Sequence, residues 1–278
     1  QTDSEVIVHL IDKYFNGSLV DAVQLAVKRL EGSFAFCVLS AVDPNCMVVA
    51  RKNSPLIIGV GEKENYVSSD VNALIQHTKK VIYLDDNCIA QVCKQNIELY
   101  DFDGQKLAYK VSEVNWTSEQ SEKNGYDYFM QKEIHEQVRA ITDTVGGRID
   151  FRTGLVNLPD LTLTRKEANN INRIIITGCG TAAHAGMIGK TLIEQLARIP
   201  VEVSIASEFR YSNPIVDKHT VVLAISQSGE TADTLGAMNE AHERGATLWS
   251  IVNVIGSQAM RMSSGCIPMQ AGPEIGVA

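Results

Sequence analysis

Two short segments of this 278-residue chain hold residues suited to gripping an anion. Ser226-Gln227-Ser228-Gly229-Glu230-Thr231 places three hydroxyls and an amide around one glycine, and no lysine follows as a P-loop requires. Hydroxyls, backbone N–H groups and the positive end of a helix can hold one phosphate monoester without a metal-bound triphosphate. A sugar phosphate suits such a loop better than ATP. Gly178-Cys179-Gly180-Thr181 is the second segment; it departs from a dinucleotide fingerprint because Ala183 stands where GxGxxG needs glycine. The plainer alternative for the first segment is that Ser228 and Thr231 cap a helix whose first turn carries Glu230. Glu208 is left open as an acid–base candidate. No metal or cofactor is expected, since His9, His77, His135, His184, His219 and His242 never form HxxxH or HxH. His184, just after the glycine segment, reads as a surface or helix-terminal residue.

The elements that must position these loops follow from periodicity. Ile174-Ile175-Ile176 and Val221 to Ile225 are β-branched runs leading into the two segments. Helices follow from about Ala182 to Ala197 and from Thr231 to about Arg244, with further strands at Pro200 to Ile205 and Thr247 to Asn253. Continuous apolar strands alternating with helices predict a parallel sheet covered on both faces. Ligands of such sheets bind in the crevice at the strand carboxyl ends, where both segments fall.

Upstream, the texture differs. Thr2-x-x-Glu5 has the form of a capping box before Val6, Ile7, Leu10, Ile11 and Tyr14, and a second helix is predicted from Ser18 to Leu30. Short strands follow at Phe34–Val42, Met47–Arg51, Leu56–Val60, Tyr66–Ser68, Val81–Leu84, Ile89–Val92, Ile97–Phe102 and Lys106–Val111, which together predict an antiparallel β-rich unit. Ser112 to Gly125 lacks an apolar period and reads as a linker. Tyr126 to Thr144 reads as a long helix with an intermittent apolar face of Tyr128, Phe129, Ile134, Val138 and Ile141.

Length and composition bound the rest. At about 150 residues per domain the chain holds two domains. Lys plus Arg is 25 against 33 Asp plus Glu, a net charge of −8, which disfavours nucleic acid as a partner. Apolar runs fall far short of the roughly 18 residues a membrane helix needs, so no membrane association is expected. The six cysteines, Cys37, Cys46, Cys88, Cys93, Cys179 and Cys266, are scattered without a CxxC. They read as buried reduced thiols of a cytoplasmic protein.

The motifs together resemble the glutamine–fructose-6-phosphate aminotransferase family. Gly178-Cys179-Gly180-Thr181, Ala206-Ser207-Glu208-Phe209-Arg210-Tyr211, the run from Ser226 to Leu235, and Glu274-Ile275-Gly276-Val277-Ala278 look like its first sugar isomerase (SIS) domain. Thr2 to Ile7, Arg51-Lys52-Asn53-Ser54-Pro55-Leu56, Ser69 to Leu74 and Tyr128 to Ile134 resemble its glutaminase domain and interdomain helix. The resemblance implies an α/β and α+β chain: residues 1–112 the C-terminal part of an N-terminal-nucleophile glutaminase domain, 113–165 a linker and interdomain helix, and 166–278 a first SIS domain truncated at its end.

It also implies glutamine-dependent amination and isomerisation of fructose 6-phosphate to glucosamine 6-phosphate, by an enzyme that is a homodimer. By similarity, Thr181, Ala182, Ser226, Gln227, Ser228, Thr231 and Val277 hold the sugar phosphate and Asp3 holds the α-ammonium of L-glutamine. Ala182 stands at a position that is often serine, which leaves it a backbone contact only. Residue 1 is Gln1 rather than cysteine, and the Schiff-base lysine would lie beyond Ala278, so the chain is expected to be an internal fragment, inactive alone, with no catalytic residue of its own. A non-enzymatic SIS sensor module is the alternative, against which the β-rich block from Ser33 to Val111 argues. Another N-terminal-nucleophile amidotransferase would need a pyrophosphate-binding domain, and the Ser226 to Thr231 loop does not supply one.

Overall fold

A computed structural model of the chain describes residues 2–114 and 122–276. The chain divides into two compact units, residues 1–118 and 119–278.

In the first unit, α1 (Asp3–Tyr14) starts where the Thr2 hydroxyl accepts from the Glu5 N–H at 3.3 Å, and α2 (Leu19–Val27) starts where Ser18 does the same for Asp21. These caps satisfy donors that the first helical turn leaves unpaired. The strands are β1 (Phe34–Leu39), β2 (Cys46–Lys52), β3 (Ile57–Val60), β4 (Asn65–Ser68), β5 (Lys80–Tyr83), β6 (Cys88–Cys93), β7 (Ile97–Asp101), β8 (Lys106–Leu107) and β9 (Ser112–Glu113). They form two antiparallel sheets, ordered β1-β2-β6-β7-β8 and β4-β3-β5-β9. Alternation along β2 sends Val49 into a cluster shared by both sheets with Ile58, Ile82 and Leu84, and Val48 and Ala50 onto Ala22, Val23 and Ala26 of α2. Arg51 is buried, donating to the Leu84 carbonyl at 2.8 Å and pairing with Asp86 at 3.1 Å.

Three sequence expectations change here. The first residues of the expected linker, Ser112 and Glu113, are β9, paired with β5; residues 115–121 of that linker lie outside the described residues. Strand β1 stops at Leu39 and β8 at Leu107, well short of Val42 and Val111. Nor are the cysteines uniformly reduced and buried. Cys46 and Cys93 face each other in register across β2 and β6 and are disulfide-bonded, 47 residues apart in sequence. Cys37 is exposed, Cys179 half-buried, and only Cys88 and Cys266 are buried as free thiols. Burial pushes the Cys88 thiol up to about 11.

The second unit opens with α3 (Phe129–Val145), the hairpin β10 (Ile149–Asp150) and β11 (Leu155–Val156), and α4 (Arg165–Asn170). Then β12 (Arg173–Gly178), α5 (Gly180–Leu196), β13 (Val201–Ile205), α6 (Ala206–Tyr211), β14 (Thr220–Ser226), α7 (Ala232–Glu243), β15 (Thr247–Val252), α8 (Gln258–Met262) and β16 (Gly265–Pro268) alternate. The sheet is parallel throughout, in the order β13-β12-β14-β15-β16. Period-two alternation splits the isoleucine run of β12. Ile175 joins Phe209, Leu235, Met238 and Ala259 from α6, α7 and α8 on one face, and Ile174 and Ile176 join Ile193 of α5 on the other. Each fully buried aliphatic chain of this kind contributes about 1.5–3 kcal/mol.

Helix α3 reverses the expected polarity. Of the residues read as its packing face, Phe129 is half-buried, but Tyr128, Ile134, Val138 and Ile141 are 72, 55, 78 and 63% exposed. The stripe turned inward is Glu133, Glu136, Ala140 and Thr144, partly buried at helical spacing, beside Lys132, the buried residue of the helix. The reason lies in what this stripe meets, a loop whose backbone donors need acceptors.

Candidate functional site

With β12 the first strand of the sheet, its neighbours β13 and β14 lead away in opposite directions, so the strand order reverses between β12 and β14. That reversal opens a crevice at the strand carboxyl ends. The two segments singled out by sequence are the turns that leave these two strands. Gly178 lets the turns approach, because a Cβ there would lie 2.8 Å from the Ile225 carbonyl oxygen. Gly180 has a φ of 54°, a left-handed conformation that glycine adopts at no cost.

The second turn is held from within. Ser226 is buried; its Oγ accepts from the Gly229 N–H at 3.0 Å and meets the Thr231 hydroxyl at 3.3 Å. Ser228 Oγ accepts from the Glu230 N–H at 3.1 Å. Gly229 is left-handed at 65°, and a Cβ would strike the buried Ser257 hydroxyl at 2.1 Å. The Gln227 carbonyl accepts from the Asn253 N–H at 3.0 Å, and the Gly229 carbonyl from the Ala259 N–H at 3.0 Å. Glu230 is not a first-turn charge of α7: it precedes the helix, and its Oε1 accepts from the Gln258 N–H at 2.7 Å, tying the turn to α8.

Capping does not account for these hydroxyls. Thr231 stands at the N-cap of α7, yet its side chain makes no cap bond, and Cys179 makes none at the start of α5. Both helices therefore direct uncapped first-turn N–H groups and their positive ends at one crevice.

A cavity of about 340 Å³ lies there, lined by Thr181, Ala182 and Ala185 of α5, Ile225 and Gln227 of the β14 end, Asn253, Glu133 with Glu136, Gln137 and Ala140 of α3, and Met269 to Glu274 except Gln270. Three of the expected sugar-phosphate residues, Thr181, Ala182 and Gln227, thus share one wall. Ser226, Ser228 and Thr231 form the adjoining turn without lining the cavity itself. Val277 lies outside the described residues. Asp3 belongs to the other unit, exposed in the first turn of α1.

The opposite wall is residues 269–276, which we call the strap; the resemblance singles out Glu274 to Gly276, whereas sequence reading misses residues 269–273. At its start the Met269 N–H still donates to the Val252 carbonyl of β15 at 2.7 Å; past that residue its backbone bonds run to side chains. The Gln270 N–H donates to Thr144 Oγ1 at 3.0 Å, and the Ala271 N–H to Asn253 Oδ1 at 3.0 Å. Asn253 Nδ2 donates to the Gly272 carbonyl at 2.5 Å. The Ile275 and Gly276 N–H groups both donate to Glu133 Oε1 at 2.8 Å. Asn253 could have been found from its place just past the end of β15, on the ligand side of the sheet. Partial burial, and then the neighbouring Glu133 carboxylate, push Glu274 above the usual carboxylate range.

The cavity is therefore polarised. One side offers the Thr181 hydroxyl, the Gln227 amide and the uncapped α5 N-terminus, with the hydroxyl turn of Ser226 to Thr231 adjoining; the other offers the carboxylates of Glu133, Glu136 and Glu274. A ligand with an anion at one end and hydroxyl or amine donors at the other complements both. Among the described residues, no three His, Cys, Asp or Glu are grouped to hold a metal ion, and no helix is long and apolar enough to cross a membrane.

Comparison with known proteins agrees with this geometry. The SIS domain family matches residues 169–278. Over all 278 residues the chain is 46% identical to the glutamine–fructose-6-phosphate aminotransferase (isomerizing) of Clostridium tetani, and it is 42% identical over 287 aligned residues to that of Methanosarcina acetivorans. It spans 46% of the length of each, a little under half. The solved C-terminal domain of glucosamine-fructose-6-phosphate aminotransferase from Francisella tularensis matches 56% of this chain and 43% of its own, at 37% identity and a TM-score of 0.51. The chain thus carries a SIS domain built on the parallel sheet and is similar from end to end to the glutamine–fructose-6-phosphate aminotransferases.

Proposed function

We propose that the cavity between the β12 and β14 turns binds fructose 6-phosphate and glucosamine 6-phosphate. The phosphate sits on the α5 and α7 N-termini among Thr181, Ala182, Ser226, Gln227, Ser228 and Thr231, and the sugar reaches toward Glu274 and Val277. The observation that carries this reading is that the uncapped start of α5, together with Gln227 of the turn leading to the uncapped start of α7, lines a cavity that also holds three carboxylates. A monoester dianion is stabilised by such termini, while sugar hydroxyls or an amine donate to the carboxylates.

In this reading the chain is a stretch of a glutamine-dependent enzyme that aminates and isomerises fructose 6-phosphate in hexosamine synthesis. Residues 1–112 belong to the glutaminase part, 113–165 to the linker and interdomain helix, and 166–278 to the first SIS domain. Asp3 pairs with the α-ammonium of glutamine, and the assembly is a homodimer in the cytoplasm. The 278 residues contribute binding rather than bond-making. Among the described lining residues there is no lysine to form a Schiff base, and the groups able to carry a proton are the carboxylates of Glu133, Glu136 and Glu274.

Isothermal titration calorimetry of the 278-residue chain tests the binding claim. Saturable binding of fructose 6-phosphate, competed by glucosamine 6-phosphate and far stronger than that of fructose, is the expected result. A folded chain that binds neither sugar phosphate overturns the reading.

A further inference from the structure

We propose that Glu133 of α3 is a positioning residue for the sugar-phosphate cavity, an inference that rests on the function proposed above and deepens it. One carboxylate oxygen, Oε1, accepts two successive backbone N–H groups, those of Ile275 and Gly276, at 2.8 Å each, across 142 and 143 residues of sequence. The strap follows β16, and beyond Met269, whose N–H still donates to the Val252 carbonyl of β15, it takes no part in the sheet. Its N–H groups therefore need acceptors from elsewhere, because an unsatisfied buried donor is destabilising. Glu133 supplies both at the strap's end, as Asn253 and Thr144 do at its start.

Two independent features show that the fit is built around the carboxylate. Gly276 has no room for a side chain, since a Cβ would lie 2.7 Å from Glu133 Oε2 and 3.2 Å from the Met130 backbone. Its φ is not in the left-handed region, so the glycine is required by the approach of α3 rather than by its own backbone. The second feature is the polarity of α3. It holds Glu133, Glu136 and Thr144 inward and leaves Ile134, Val138 and Ile141 exposed, the opposite of what burial alone would select. The inward carboxylate is thus used to set the height of the wall that faces the ligand. Glu133 acts through the strap: it fixes where Glu274, and with it the sugar end of the cavity, stands relative to Thr181 and Gln227.

The test uses the whole 278-residue chain and two readouts. The first is the Kd for fructose 6-phosphate by calorimetry, in wild type, Glu133→Ala, Glu133→Asp and Glu133→Gln. The second is hydrogen exchange of the Ile275 and Gly276 amides in the same four proteins. Gln keeps an oxygen at the same reach, whereas Asp withdraws it by one methylene. Expected are a loss of affinity of about tenfold or more in Ala and Asp, near-wild-type affinity in Gln, and amide protection lost only in Ala and Asp. A tenfold loss corresponds to about 1.4 kcal/mol. Equal affinity in all four, with the wild type binding, overturns the positioning role and leaves the sugar-phosphate reading standing. No binding by the wild type overturns that reading instead, and protected strap amides in Glu133→Ala would by themselves exclude the clamp. Should Glu133→Ala fail to fold, the Asp and Gln pair decides the matter, and identical behaviour of the two counts against the proposal. Gly276→Ala provides the reverse check: it is expected to weaken binding in wild type and to cost less in Glu133→Ala, where one of its two obstacles is gone.

Discussion

The β12–α5 and β14–α7 turns leave neighbouring parallel strands toward the same crevice, yet they are made in opposite ways. The first is shaped by what is missing. Gly178 permits contact with the Ile225 carbonyl, Gly180 permits a left-handed residue, and no side chain caps the helix. The second is shaped by what is present: Ser226, Ser228 and Thr231 hydroxyls bond to the turn's own N–H groups or to one another, and Glu230 ties the turn to α8. The difference teaches that a hydroxyl-rich loop need not spend all its hydroxyls on ligand. Buried Ser226 holds the turn's shape, leaving half-buried Ser228 and Thr231 better placed for contact with phosphate.

Substitutions can break this contrast, beginning with the largest effect. Gly229→Ala adds a Cβ to a left-handed residue, costing about 1–2 kcal/mol, and drives it against the buried Ser257, costing about 1–3 kcal/mol more. Urea denaturation of the chain should show this combined loss, together with lost sugar-phosphate binding. Gly178→Ala lacks the backbone strain but meets a main-chain oxygen, so a smaller loss of about 1–3 kcal/mol is expected. Were the two variants equally benign, the close approach of the turns would be disproved.

Ser228→Ala and Thr181→Ala sharpen the comparison at the level of binding. Ser228→Ala is expected to weaken fructose 6-phosphate by about tenfold, near 1.4 kcal/mol, with the denaturation midpoint almost unchanged. Exposed Thr181→Ala should lose less, because the first turn relies chiefly on backbone donors. Equal losses at both positions would erase the distinction drawn between the turns.

The smallest effect is one of pH. Glu274 has its carboxyl raised in the folded state, so the folded chain holds that proton more tightly than the unfolded one. Stability from this group is present at low pH and declines as pH rises from the ordinary glutamate value of 4.5 to the raised folded value. Glu274→Gln should remove that decline in a stability-versus-pH series, and a steeper decline in the variant would reverse the sign.

Much of this was legible in the sequence, for reasons tied to particular residues. Ile174–Ile176 and Val221–Ala224 are buried on both faces, with Ile225 half-buried, so the two runs read as unbroken apolar strands. Thr2 and Ser18 announce their helices because capping is local chemistry. What escaped depends on distant partners. Ser112 and Glu113 carry no strand pattern and pair with Val81 and Lys80 only through the sheet. Cys46 and Cys93 meet only because β2 and β6 are neighbours in one register. For α3, four of the five apolar positions predicted inward face outward, and the inner stripe instead carries Glu133, whose carboxylate the strap's N–H groups need. The site was half legible: the donor wall follows strand ends and reads locally, and Glu133 and Glu274 to Gly276 stand out in motifs. Their bonding to each other, and the part played by Asn253 and residues 269–273, depend on joins across the fold.

The most direct measurement is a map of backbone amide shifts on titrating fructose 6-phosphate into the chain labelled with nitrogen-15. Binding at the crevice predicts the largest perturbations at Gly180 to Ala182 and Gln227 to Thr231, saturating together with those of the strap amides at Ile275 and Gly276. Perturbations confined to other surfaces, or shifts at the two turns produced equally by fructose without its phosphate, would contradict the account.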